Sequence, residues 1–353
     1  MYSFGNKLKI EIEGESHAPE IRVTLKGFPK GLEIDGEALL RFMKRRASGG
    51  VGTTPRREPD IPEFIGGVEN GVTTGEDIVI CVKNTNVRPG DYSNVRDVPR
   101  PGHADYTSYV KYGTIPSGGG IFSGRMTVLL CAAGGLCLQL LKEMGVEIAA
   151  HVQMIGGVWD KSPDPCEAFS EELVSVRDKS FPVMDEAAGE KMKEAILSAS
   201  SVGDSVGGIV EGFVYGLPAG HGGELFYGIE GKLSSALFGI PAVKGVEFGA
   251  GFASAQMKGS ENNDPFYTDG NTVKTKTNNC GGILGGISNG MPIVFRMAVK
   301  PTPSISLIQS SVSLSRMENT ELSVSGRHDA CIVPRTVPVA EAVAAMAILD
   351  LII

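Results

Sequence analysis

Val128–Leu141, VLLCAAGGLCLQLL, carries apolar residues around most of a helix's circumference. A surface helix shows one apolar stripe, so this segment is predicted to be buried on all sides. The helical pattern reaches from Arg125 to Met144 and stops at Gly145, and its apolar run falls short of the ~20 residues that cross a bilayer. Working outward, short or alternating apolar runs predict strands at KLKIEIE (7–13), IRVTLKG (21–27), IVICVKN (78–84), VEIAAHVQMI (146–155), GGIVEGFVYG (207–216), VEFGAGFASA (246–255) and PIVFRMAVK (292–300). Further helices are predicted where Asp35 caps EALLRFMKRR, at Ala187–Ser200 and at Val339–Ile353. Strands that come in pairs with few helices between them argue for an α+β fold of antiparallel sheets covered by helices, not an alternating doubly wound one.

The chain has 353 residues, 42% of them hydrophobic, enough for a large core. Its formal charge of -8 excludes nucleic acid and anionic membrane surfaces as general partners, so any anion site is local. Cys81, Cys131, Cys137, Cys166, Cys280 and Cys331 are dispersed without a C-x-x-C pair and are expected to be reduced cytosolic thiols. The opening stretch, MYSFGNKLKIEIEGESH, lacks an apolar targeting core. GGGIFSGRMT misses a Walker A loop because Arg125 and Met126 stand where Lys and Ser/Thr are required.

From Arg41 to Arg57 there are six basic residues (Arg41, Lys44, Arg45, Arg46, Arg56, Arg57) and no acidic one, a candidate anion pocket. Arg96 and Arg100 stand near His103 in a second loop. His17, His103 and His328 lie in short polar loops rather than on apolar faces, which suits general acid/base work. His151 interrupts a strand and reads as structural. No His, Cys or carboxylate spacing matches a metal site, and Cys331 as a nucleophile lacks an adjacent base.

The blocks GESH (14–17), TTPRREPD (53–60), RPGHADYTSYVKYG (100–113), KGVEFG (244–249), NNCGGILGGISNGMPI (278–293), KPTPSI (300–305) and GRHDAC (326–331), with VPVAEA following, resemble the chorismate synthase family in family order. The resemblance implies one domain over residues 1–353, a β-α-β sandwich with helices between antiparallel sheets, and a cytoplasmic homotetramer. It implies trans-1,4 elimination of phosphate from 5-enolpyruvylshikimate 3-phosphate, with reduced FMN required and NADPH as an indirect reductant. His17 would then protonate the departing phosphate, His103 would donate a proton near the flavin, and Asp329 would help the flavin N5 take up the ring proton. Flavin contacts are implied at Phe122, Ser123, Ala242, Gly285, Lys300, Pro301, Thr302, Pro303, Ser304 and Arg327, and contacts to substrate or NADP at Arg45, Arg46 and Arg125. The chain departs from the family pattern at Val51, Ile121, Met126 and Ala330, losing two basic positions and an acidic one. Those losses leave open another flavin or phosphate-ester enzyme on the same fold with a shifted substrate; the second alternative, a non-catalytic anion-binding protein that keeps the fold alone, is opposed by the retention of His17, His103 and Asp329 together.

Overall fold

The computed structural model describes residues 2–54, 58–86, 96–324 and 329–353, so Arg56, Arg57, Arg327 and His328 lie outside the described residues. Helices α1 (Gly36–Arg46), α2 (Asp105–Tyr112), α3 (Thr127–Glu143), α4 (Glu171–Ser175), α5 (Glu186–Ser201), α6 (Ile229–Leu237), α7 (Gly259–Asn262) and α8 (Val333–Ile352) accompany two five-stranded sheets. The first sheet orders Tyr2–Phe4, Lys9–Glu13, Glu20–Lys26, Ile78–Lys83 and Glu63–Gly66, all antiparallel. The second orders Val243–Phe248, Ile293–Val299, Gly208–Tyr215, Glu147–Ile155 and Val158–Trp159, also antiparallel.

Strand alternation explains how the sheets close on the helices. Ile21, Val23 and Leu25 alternate with more exposed residues and enter a core shared with Val210, Phe295, Met297 and the apolar length of α3 and α8. α3 and α8 are buried on nearly every face, because both sheets and each other supply apolar partners. Gly124–Glu143 is long and apolar enough to cross a membrane by composition, yet 72% of that window is buried inside the fold. The expected sandwich of helices between antiparallel sheets is therefore present.

Two sequence expectations shift. VEFGAGFASA is a strand only to Phe248; Gly249 and Gly251 take φ of 54° and 53°, and Gly251–Gln256 forms a 3-10 turn. α8 begins at Val333, before the expected Val339: Pro334 suits the first turn, where no backbone N–H is needed, and the helix runs on through Pro338. α2 and α6 were not legible as helices, since their apolar patterning is weak and short. Asp35 caps α1 as expected, its side chain accepting from the Ala38 N–H at 2.8 Å.

The face of the second sheet turned away from α3 and α8 carries a row of charge, buried at His151, Asp160 and Glu211. His151 lies between Asp160 (3.2 Å) and Glu211 (3.0 Å), and Arg296 continues the row to Glu211 (3.3 Å) and Glu247 (2.7 Å). His151 is thus structural, as its strand position suggested.

Candidate active site

Three consecutive glycines bring two histidines together. Gly118, Gly119 and Gly120 take φ of 60°, 83° and 53°, a left-handed run that other residues adopt only with strain. A methyl group added at Gly118 would lie 1.9 Å from His17 Cε1, and one at Gly119 would lie 3.2 Å from His103 Nε2. The two imidazoles therefore flank one short length of bare backbone. Nothing in the spacing of His17 and His103 along the chain announces this.

His17 sits in the turn between the Lys9–Glu13 and Glu20–Lys26 strands. Ser16, fully buried, ties that turn to the glycines: its N–H donates to Gly120 O (3.3 Å) and its hydroxyl to Gly118 O (3.2 Å). Ser16 Oγ also lies 3.0 Å from His17 Nδ1, so the same hydroxyl bridges the imidazole and the glycine loop.

His103 is held by its own hexapeptide, RPGHAD. Its Nδ1 donates to Asp105 Oδ1 at 2.6 Å, and Arg100 grips both Asp105 oxygens through Nε (2.7 Å) and NH2 (2.8 Å). Arg100 NH1 continues to Ser304 Oγ at 3.1 Å, and Lys300 Nζ donates to Gly102 O at 2.8 Å. Burial pushes the His103 pKa down, Asp105 opposes this, and the charges of Arg100 and Lys300 add to the lowering. Burial disfavours ionised Asp105, but hydrogen bonds from Arg100 and His103 prevail and hold its carboxyl far below the ordinary range.

A guanidinium cluster adjoins the His17 turn. Asn84 donates to Ala18 O (2.7 Å) and accepts from Arg125 Nε (2.8 Å); Arg125 also pairs with Asp60, whose other oxygen takes Arg46 at 2.5 Å. Arg335 donates to Arg46 O (2.9 Å) and to Asp329 Oδ2 (2.6 Å), while Asp329 Oδ1 accepts the Thr54 N–H at 2.6 Å. His17, His103 and Asp329 thus stand on one continuous chain of contacts. Among the described residues Arg46, Arg125 and Arg335 gather around Asp60 and Asp329, with Glu58 also acting on Arg125, and this concentration of guanidinium groups suits an anion.

The basic run disperses. Arg41 lies at the surface beside Asp35 and Glu37, and Arg45 turns into the helix layer to pair bidentately with Glu341 at 2.5 and 3.1 Å. Of the described arginines in that run, Arg46 alone joins the cluster. Val51 and Ile121 are half-buried against the core and Met126 is buried in it, so the departures from the family pattern are filled by apolar packing.

Ser123 lies beside Gly119, and Phe122 is partly exposed at the end of the same loop. Lys300 N–H donates to Ala242 O at 3.0 Å, and Ala242 takes a φ of 75°, unusual for a residue with a side chain. Pro303 packs toward Gly102 and Pro301 toward Gly207. Gly285 turns the hairpin of Ile283–Leu284 and Ile287–Ser288, whose Gly286 abuts Gly223 and Gly228. The hydroxyls of Ser117 and Thr302 and Arg46 Nε are buried without a hydrogen-bond partner. Unmet donors on the glycine loop, the 300–304 segment and the guanidinium cluster suit a polar, anionic ligand spanning all three. Among the described residues no group of His, Cys, Asp and Glu could hold a metal.

Ser16, Asp60, Asn84, Asp105 and Arg335 were missed as site residues by sequence reasoning. Asp105 alone had a local signal, two residues after His103. Burial raises the Cys331 thiol to about 12, which removes it as a nucleophile at neutral pH.

The comparisons agree along the whole length. The family model for chorismate synthase matches residues 8–353. A chorismate synthase of Dehalococcoides mccartyi is 44% identical over 99% of this chain and 96% of its own. One from Thermococcus gammatolerans is 44% identical over 98% and 96%, and a crystal structure of chorismate synthase superposes with TM-score 0.76 at 26% identity, covering 98% of this chain and 92% of that one. The chain belongs to the chorismate synthase family of carbon–oxygen lyases.

Proposed function

We propose that this chain, working as one domain, removes phosphate from 5-enolpyruvylshikimate 3-phosphate by trans-1,4 elimination to give chorismate. The observation that carries this reading is the pair of imidazoles, His17 and His103, set against Gly118 and Gly119 beside the cluster of Arg46, Arg125 and Arg335. Elimination of phosphate needs an acid for the leaving group, a proton acceptor for the ring and cations for a polyanionic substrate.

His17 protonates the departing phosphate, and Arg46 and Arg125 orient the substrate from the adjoining cluster. His103 holds a proton at Nε2, facing the glycines. Asp329 assists removal of the ring proton, its oxygens fixed by Arg335 and Thr54. Arg45 serves the scaffold through Glu341. Reduced FMN, when bound, would supply reducing chemistry to the elimination with no net redox change. Ser123, Ala242, Lys300, Thr302 and Ser304 would hold it, since the unmet Thr302 hydroxyl and the Lys300 ammonium match a phosphate and a polar ring edge. NADPH serves as an indirect reductant. The enzyme works in the cytoplasm as a homotetramer; Leu225 and Phe226, 88% and 93% exposed, support contact with further copies.

Anaerobic incubation with reduced FMN and 5-enolpyruvylshikimate 3-phosphate tests the reading. Chorismate and inorganic phosphate are expected in equal amounts; release of neither overturns it.

A further inference from the structure

We propose that Asp105 and Arg100 are positioning residues for His103, fixing which ring nitrogen works and tying its place to the 300–304 segment. This rests on the reading of His103 as a proton donor at the site. Asp105 is fully buried at the first residue of α2, where the helix's unsatisfied N–H groups favour a carboxylate. Its Oδ1 takes His103 Nδ1 and Arg100 NH2, and its Oδ2 takes Arg100 Nε and the Arg100 backbone N–H at 3.0 Å. Neither oxygen is left to drift, so the imidazole is held by a carboxylate that is itself held from three directions.

The consequence is chemical. Nδ1–H is committed to Asp105, so only Nε2, the nitrogen nearest Gly119, can deliver a proton into the site. An ionised Asp105 also stabilises the imidazolium before transfer, against the opposing charges of Arg100 and Lys300 on the neighbouring segments; His17 lies across the glycine pair. Arg100 does a second job. Through NH1 it reaches Ser304, so His103 and the 300–304 backbone move as one body, and Lys300 reinforces this through Gly102. A fork with several donors is required to hold both Asp105 oxygens and Ser304 at once, which a lysine cannot do.

The test compares the pH dependence of kcat for the full-length enzyme and three variants. In Asp105→Asn, kcat is expected to fall roughly 10²-fold, with KM nearly unchanged. Its basic limb should move to lower pH, because activity is lost as His103 deprotonates and the carboxylate favouring the protonated ring is gone. Arg100→Lys should lower kcat in the same direction with a smaller displacement, and it carries the test alone if Asp105→Asn does not fold. A profile of unchanged shape and position in the folded variants would overturn the inference. His103→Ala separates the two levels: a wild-type rate there defeats the reading of His103 itself, whereas an impaired His103→Ala beside a normal Asp105→Asn defeats only the positioning role.

Discussion

Arg45 and Glu341 meet inside the helix layer as a bidentate pair, 296 residues apart in sequence, with the Glu341 side chain fully buried. Glu341 also accepts the Ala150 N–H at 3.0 Å, so the pair pins α1, α8 and the second sheet together. Arg45→Met should cost about 3–5 kcal/mol of stability, because it leaves the buried Glu341 carboxylate with only the Ala150 N–H and the more distant Arg177 Nε at 3.9 Å. Arg45→Met with Glu341→Leu should recover much of that loss. Urea denaturation of both variants checks this, and a double variant as unstable as the single would refute it. KM should stay near wild type wherever the protein is folded.

Gly118→Ala should displace His17. The added methyl meets the ring, and a left-handed alanine costs about 1–2 kcal/mol besides. A misplacement of this kind reduces catalysis on the order of 10²-fold. Gly124→Ala, where the new methyl meets nothing within 4 Å, is the control and should be nearly silent. Steady-state kinetics and thermal melts of the two variants decide the matter.

Asp329→Asn should lower turnover by roughly 10²–10⁴-fold if Asp329 assists removal of the ring proton. Arg335→Gln removes the ion pair but leaves the carboxylate in place, so it should reduce turnover much less. Equal losses in the two would mean that Asp329 matters only as a partner for Arg335 and Thr54.

The His151 row gives stability a pH signature. Burial disfavours the charged ring, but hydrogen bonds and charges from Asp160 and Glu211 outweigh it and raise the pKa. A raised histidine contributes fully below its unfolded value of ~6.5 and loses that contribution as pH rises through the folded value. The urea midpoint of the wild type should therefore fall on the alkaline side, and His151→Gln should flatten that slope. Parallel slopes would count against the assignment.

Alkylation should discriminate among the thiols. Burial raises Cys131 and Cys331 to about 12, so neither offers thiolate at neutral pH, whereas Cys166 and Cys280 are only partly buried. Peptide mass spectrometry after brief iodoacetamide treatment should find Cys166 and Cys280 modified first.

The parts of the fold that were legible are those fixed by local pattern. The all-round apolar face of α3 and the alternation in Glu20–Lys26 follow from burial on one or both sides, and Asp35 caps α1 by an interaction three residues long. His17 and His103 stood out because polar loops are where ionisable groups stay available. What the sequence concealed depends on tertiary pairing. The basic run Arg41–Arg57 looked like one field, yet Asp35, Glu341 and Asp60 divide its described arginines, Arg41, Arg45 and Arg46, among surface, core and site. Asp60 was invisible as a site residue, since its task arises from a left-handed backbone, φ 51°, that aims it at two arginines from separate elements.

Where α3 crosses α8, a methyl on Gly134 would come within 2.4 Å of the Ala342 methyl, so the helices touch almost backbone to backbone. Position 134 is in that sense a thickness gauge for the molecule. His17 and Asn84 hang from the sheet on one side of this crossing, whereas Lys300 and Ser304 follow the last long strand on the other. Any side chain larger than hydrogen at 134 would widen the gap between the two halves and retune the site through the interior, without altering a single group that meets the substrate.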